Sequence, residues 1–162
     1  MAMKQTGFVV WFTGLPASGK TSLAYAMQAA LAAQGDIQTV VLDSDELRAV
    51  LTPKPTYSAA ERDWFYGVMI YLAAWLARDG VNVLIAATAN RRRYRDEARR
   101  QIARFAEVHV VCSLAECQAR DPKGIYKQAQ AGEATFVPGV GATYEAPLQA
   151  ETAPCRARVR AR

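Results

Sequence analysis

The chain has 162 residues, 51% of them apolar, with a formal net charge of +5. That length builds one sizeable core rather than two. Arg156, Arg158, Arg160 and Arg162 carry most of the excess charge, so the body is close to neutral and has no nucleic-acid footprint. Residues 1–150 read as one domain and 151–162 as a basic tail, solvated as charged termini usually are. Cys112, Cys117 and Cys155 form neither a CxxC pair nor a cluster with His109, which argues against a zinc site or a disulfide framework. No leader opens the chain, and the apolar stretch 64–77 is too short to span a bilayer. A cytoplasmic protein without a membrane partner is expected.

In chain order, the apolar run Phe8 to Phe12 predicts a first strand. It leads directly into Gly14-Leu15-Pro16-Ala17-Ser18-Gly19-Lys20-Thr21, followed by Ser22. Glycines at both ends of such a loop let backbone N–H groups turn toward phosphate oxygens. The following helix adds its positive end, the Lys20 ammonium reaches the β- and γ-phosphates, and the Thr21 hydroxyl is placed to ligate Mg²⁺. The strand before it and the helical spacing of residues 22–33 after it give this phosphate-binding loop (P-loop) its required context, so Gly14 to Ser22 are assigned to a bound nucleotide.

Thr39 to Leu42 predicts a second strand, covered on both faces and ending at Asp43, and residues 44–51 a short helix. Pro53 and Pro55 make 52–56 a loop. Ser58, with Glu61 as capping-box partner, opens a helix running to Arg78 and closed by Gly80. Further along, 81–87 reads as a strand, 91–105 as a basic helix, 107–112 as a strand, and 114–120 and 125–131 as helices. Strands alternating with helices imply right-handed crossovers. The expected fold is α/β: a three-layer P-loop NTPase domain, with a parallel sheet and helices on both faces.

Ligands of such sheets sit beyond the carboxyl ends of the strands. That rule selects the P-loop, Asp43-Ser44-Asp45 and residues 87–90. Asp43 and Asp45 would point the same way in an extended segment, one organising Mg²⁺ and the other accepting a proton, with Arg48 one turn on for an anionic acceptor. Helix capping is the competing reading of both carboxylates. Together these features imply a nucleotide-binding protein, with the carboxylate pair suited to phosphoryl transfer onto a hydroxyl.

The chain also resembles the adenylylsulfate kinases from about Phe8 to Pro147. The resemblance rests on the P-loop, on Leu42-Asp43-Ser44-Asp45-Glu46-Leu47-Arg48, on Arg120-Asp121-Pro122-Lys123-Gly124-Ile125-Tyr126-Lys127, and on Tyr144-Glu145-Ala146-Pro147. It implies transfer of the ATP γ-phosphoryl group to the 3′-hydroxyl of adenosine 5′-phosphosulfate, an anionic small molecule. It further implies Asp45 as the catalytic carboxylate with Lys20, Asp43 near the metal with Thr21, Arg48 and Arg62 on the phosphosulfate, and Tyr57 stacked on the acceptor's adenine. Lys123 would sit near substrate in a lid, and Arg120 would face the transferring phosphoryl group.

Three departures concern the acceptor. Phe65 stands where the family has asparagine, Gly67 and Val68 where it has two arginines, and Val137 where its second stacking segment begins. An alternative acceptor (another nucleotide, a nucleoside or a sugar) and a non-catalytic nucleotide-binding module are therefore kept as competing readings. The aromatic run Trp64, Phe65, Tyr66, Tyr71 and Trp75 is read as helical core, with an acceptor wall or a homodimer contact as alternatives. Of Arg91, Arg92, Arg93 and Arg95, one at most is expected at a ligand and the others in solvent. His109 is given no catalytic role.

Overall fold

The structure, a computed structural model, describes residues 6–35 and 37–151. Cys155 and the arginine tail lie outside the described residues. Four strands, β1 (Val9–Thr13), β2 (Thr39–Asp43), β3 (Asn82–Ala86) and β4 (Phe105–His109), form one sheet in the order β2-β3-β1-β4. All pairings are parallel, with Val9 opposite both Val83 and Phe105. Among the described residues six helices accompany them: α1 (Lys20–Gly35), α2 (Ser44–Leu51), α3 (Ala59–Arg78), α4 (Arg92–Gln101), α5 (Leu114–Arg120) and α6 (Ile125–Gln130). The α/β reading of the sequence holds.

The period-2 geometry of a strand divides the core into two. Val9, Trp11, Val83 and Ile85 face α3 and α4, where Phe65, Met69, Ala73 and Ala98 are fully buried. Val10, Phe12, Leu84 and Ala86 face α1 through Ala24, Leu23 and Met27. Each large side chain buried this way contributes about 1.5–3 kcal/mol, which is why β1, packed on both faces, is buried at every position.

Several expectations need correction. β2 is an edge strand, with Val40 39% exposed, rather than one covered on both faces. The basic helix stops at Gln101, and β4 starts at Phe105 rather than Glu107. Pairing of Phe105 with central Val9 and burial of Ile102 in extended geometry outweigh the local helical pattern. Residues 44 and 45 are helical from the first turn of α2, so Asp45 does not continue an extended segment. At Ser58 only half of the expected capping box forms: Ser58 Oγ accepts from Glu61 N at 3.2 Å, while the Glu61 carboxylate turns to Thr56 and Tyr57. A complete box occurs instead at Ser113 and Glu116. The aromatic run also splits, Phe65 and Tyr66 entering the core while Trp64, Tyr71 and Trp75 remain about half exposed.

Candidate active site

Residues 14–19 form the turn between β1 and α1, and two glycines there are dictated by geometry. A Cβ on Gly14 would lie 2.6 Å from Val110 O, and Gly19 adopts φ +102. Ala17 also takes positive φ, 61°. Lys20, the first residue of α1, folds back over the loop and donates to Gly14 O at 3.2 Å and Leu15 O at 2.8 Å. Burial lowers its pKa to about 8, against the fields of Asp45, Cys117 and Asp43, which favour the charged form. A buried ammonium of this kind is short of anionic partners, and phosphate oxygens would supply them.

Asp43, at the end of β2, is both cap and tether. Its Oδ1 accepts from Asp45 N at 2.7 Å, capping α2, and its Oδ2 accepts from Thr21 Oγ1 at 2.6 Å. The capping reading of this carboxylate is therefore realised, and its second oxygen is held by the P-loop threonine. Asp45, in the first turn of α2, forms an ion pair with Lys123, which lies in the α5–α6 segment. Both partners are more than half exposed (58% and 53%), so the pair is worth well under 1 kcal/mol and exchanges readily. Among the described residues no group of three or more His, Cys, Asp or Glu side chains could hold a metal by itself. A hydroxyl and one carboxylate, Thr21 and Asp43, suit Mg²⁺, which keeps several waters and takes its remaining ligands from phosphates.

The residues expected on the acceptor gather around Tyr57, which holds φ +53 just before the Ser58 cap of α3. Arg48 lies 3.8 Å above the Phe65 ring and 5.0 Å from the Tyr57 ring, and donates to Glu61 Oε1 at 3.2 Å. Burial would raise the Glu61 pKa, but hydrogen bonds from Thr56 and Tyr57 and the charge of Arg48 hold it below the usual carboxylate value. Arg62 is buried, and its guanidinium donates to Tyr57 O, Asn90 Oδ1 and Phe136 O at 3.0, 3.1 and 2.7 Å. Sequence reasoning placed Arg62 on the phosphosulfate; the structure gives it three protein acceptors, with which it ties α3 to the β3 end and to the 132–143 segment.

Of the basic cluster Arg95 is the one that turns inward, and it meets a carboxylate of the protein where a ligand was the expectation. It is 1% exposed and pairs with Glu107 of β4 while donating to Ala89 O and Glu145 O. Burial raises the Glu107 pKa, and the Arg95 charge works against that rise. The strand-end rule selects Asn90, which accepts from Arg62, whereas Tyr126, Tyr144 and Thr13 carry contacts that no reading of the sequence assigns to the site. Tyr144 OH and Thr13 Oγ1 are 3.1 Å apart below the P-loop, and Tyr126 OH of α6 donates to Pro16 O at 3.0 Å. Cys117 packs beneath the same loop, its thiol pushed up to about 12 by burial and by Cys112. Arg120, in the last turn of α5, is exposed. Only the Tyr-Glu-x-Pro motif hinted at the Tyr144 contact; Thr13 ends β1 and Tyr126 lies in α6, and each meets a partner more than a hundred positions away in sequence.

Known proteins agree with this geometry. A family model described as adenylylsulphate kinase matches residues 6–153. An adenylyl-sulfate kinase of Microcystis aeruginosa is 40% identical over 92% of this chain and 82% of its own length. One from Escherichia coli is 40% identical over 90% of this chain and 73% of its own. The Mycobacterium tuberculosis APS kinase CysC, solved with AMPPNP and APS, superposes with a TM-score of 0.83, 37% identity, and coverage of 90% of this chain and 86% of that one. A family model matched over nearly the whole chain and relatives of this identity and coverage show that the chain belongs to the adenylylsulfate kinase family.

Proposed function

We propose that the chain is a cytoplasmic, ATP- and Mg²⁺-dependent kinase that phosphorylates the 3′-hydroxyl of adenosine 5′-phosphosulfate, giving 3′-phosphoadenosine 5′-phosphosulfate. The observation carrying this reading is the convergence of Lys20, Thr21, Asp43 and Asp45 on one end of the sheet, in a chain of this family. Gly14 to Ser22 hold the triphosphate through backbone N–H groups and the start of α1. Thr21 and Asp43 would hold Mg²⁺, which neutralises phosphate charge when bound. Lys20 exchanges its two carbonyl acceptors for phosphate oxygens, regaining full charge as it does so.

Phosphoryl transfer requires mostly alignment and charge neutralisation. Asp45 orients the acceptor hydroxyl and accepts its proton as the O–P bond forms and the bond to the ADP oxygen breaks. Lys123, released from its weak pair with Asp45, stays close enough to face the acceptor's anionic group. Arg120, one segment earlier, is offered to the transferring phosphoryl group. On the acceptor wall Tyr57 supplies a ring for the adenine, Arg48 lies beneath it, and Arg62 holds the wall in place.

A second reading, a different small hydroxyl acceptor, is favoured by one observation: Phe65 is fully buried under Arg48, at the position where the family has an asparagine that helps hold the acceptor. Purified protein with ATP, Mg²⁺ and an acceptor panel separates the readings. Transfer to adenosine 5′-phosphosulfate that falls at least about a hundredfold in Asp45→Asn supports the first. Transfer only to a sugar, nucleoside or other nucleotide selects the second, and ATP binding without transfer marks a regulatory module.

A further inference from the structure

Glu61 is the third residue of α3, the position from which a capping box would return its side chain to the cap. Its carboxylate instead leaves the helix and collects four donors. Oε2 accepts from Thr56 N at 2.6 Å and from Thr56 Oγ1 at 2.7 Å, while Oε1 accepts from Tyr57 N and from Arg48 Nη1, both at 3.2 Å. The Glu61 and Arg48 side chains are only 15% and 11% exposed, so these bonds form largely out of water, where an ionised acceptor is strong. Helix formation does not ask for this arrangement. Ser58 already caps the Glu61 N–H, and an acid favours a helix N-terminus by its charge alone. Thr56 and Tyr57 lie before the cap, outside the helix.

What the carboxylate does hold is the backbone of Tyr57. Left-handed geometry such as its φ of +53 is unfavourable for a residue with a Cβ, and it persists only where the surroundings over-determine it. Here the Tyr57 N–H is taken by Glu61 and the Tyr57 C=O by Arg62 Nε at 3.0 Å, so two adjacent residues of α3 grip it from both sides. The ring that results is 42% exposed, with the Arg48 guanidinium 5.0 Å and the Arg62 guanidinium 5.6 Å from its centre. The same carboxylate steers Arg48, which lies over the Phe65 ring. One side chain therefore sets both an exposed ring and the cation beside it.

We infer that Glu61 is a positioning residue for the phosphoryl acceptor: it meets no reacting atom, but it fixes Tyr57 and Arg48 in the arrangement that recognises an aromatic ring bearing an anionic group. This rests on the reading of Tyr57 and Arg48 as the acceptor wall. None of the four donors belongs to the P-loop or to Asp43 and Asp45, so nucleotide binding lies outside its reach. Glutamine at this position keeps the shape but presents an amide nitrogen, itself a donor, to donors already there. Aspartate keeps the charge and every acceptor site and is shorter by one methylene.

Steady-state kinetics of the full chain test this with adenosine 5′-phosphosulfate, or with whichever other acceptor of the panel the wild type phosphorylates. Glu61→Gln should raise the acceptor KM about tenfold or more, the size expected for a lost charge-assisted hydrogen bond, while KM for ATP stays within about twofold. Glu61→Asp should recover most of the loss. Thr56→Val, which removes one exposed hydroxyl donor, should shift the acceptor KM in the same selective way but less, and it reads the same network if Glu61→Gln folds poorly. Transfer to a different acceptor would unseat the proposed substrate, yet a selective rise in that acceptor's KM still supports the role of Glu61. Amide exchange measured by NMR needs no acceptor at all. In Glu61→Gln the Thr56 and Tyr57 amides should exchange about tenfold faster, with the core amide of Ala73 unchanged. Acceptor and ATP KM values that rise together, an acceptor KM within about twofold of wild type, or unaltered exchange at Thr56 and Tyr57 overturns the inference.

Discussion

Thr21 Oγ1 donates a 2.6 Å hydrogen bond to Asp43 Oδ2, so the first turn of α1, which follows β1, is joined to the end of β2 past the one strand, β3, that lies between them. The same carboxylate caps α2 through Asp45 N. Asp43→Asn keeps an oxygen for the cap and should hold stability to within about 0.5 kcal/mol. Asp43→Ala should lose about 1–2 kcal/mol in urea unfolding. Both should lower kcat/KM for phosphoryl transfer at least about a hundredfold, because neither leaves a charge for the metal. Equal activity in Asp43→Asn and wild type would reduce Asp43 to a cap.

Lys20 makes nucleotide binding depend on pH. Its pKa in the free protein is about 8, lowered by burial from 10.5, and phosphates raise it again. Above about pH 8 binding must therefore take up a proton, and ATP affinity should fall by up to tenfold per pH unit. The stability of the free protein runs the other way. The unfolded chain binds the Lys20 proton more tightly, so stability from this group rises between pH 8 and 10.5 and is constant below. Calorimetry of ATP binding in two buffers of different ionisation enthalpy, near pH 8.5, measures the uptake; Lys20→Met should abolish it.

Arg95 and Glu107 form a buried pair, for which the geometry decides the sign. Removing one partner strands the other charge, so Arg95→Met or Glu107→Leu should each cost about 3–5 kcal/mol. The double variant should cost markedly less than the two together. Denaturant unfolding of the four proteins makes a complete cycle, and additive losses would mean that the pair does not interact.

Phe65 supports Arg48 from below at 3.8 Å. Phe65→Leu keeps the core filled but removes the ring face, and should cost about 1–2 kcal/mol of stability. If Arg48 serves the acceptor, the variant's KM for adenosine 5′-phosphosulfate should rise several-fold while KM for ATP stays within about twofold. A uniform change in both would point to a general loosening instead.

Much of this molecule could be read without coordinates because its signals are local. The P-loop needs glycine at Gly14 and Gly19 for steric reasons that hold in any fold, and apolar runs bounded by turns show the four strands. Pairing and burial could not be read that way. Nothing in Thr39 to Leu42 distinguishes an edge strand from a central one, and nothing in the run Arg91 to Arg95 says which arginine turns inward. Arg95 does so because Glu107, on a strand brought alongside by the sheet order, waits there.

The primary structure by itself determined the phosphate cradle, the alternation of strand and helix, and the carboxylates Asp43 and Asp45, since each depends on residue type and short-range spacing. Only the tertiary structure decided that Arg62 is tied to Tyr57, Asn90 and Phe136 and that Asp45 rests against Lys123. It likewise decided that one face of α3 is aromatic and exposed. Those outcomes depend on contacts between residues tens of positions apart, which form when apolar burial collapses the sheet and its helices together, and no short window of sequence contains both partners.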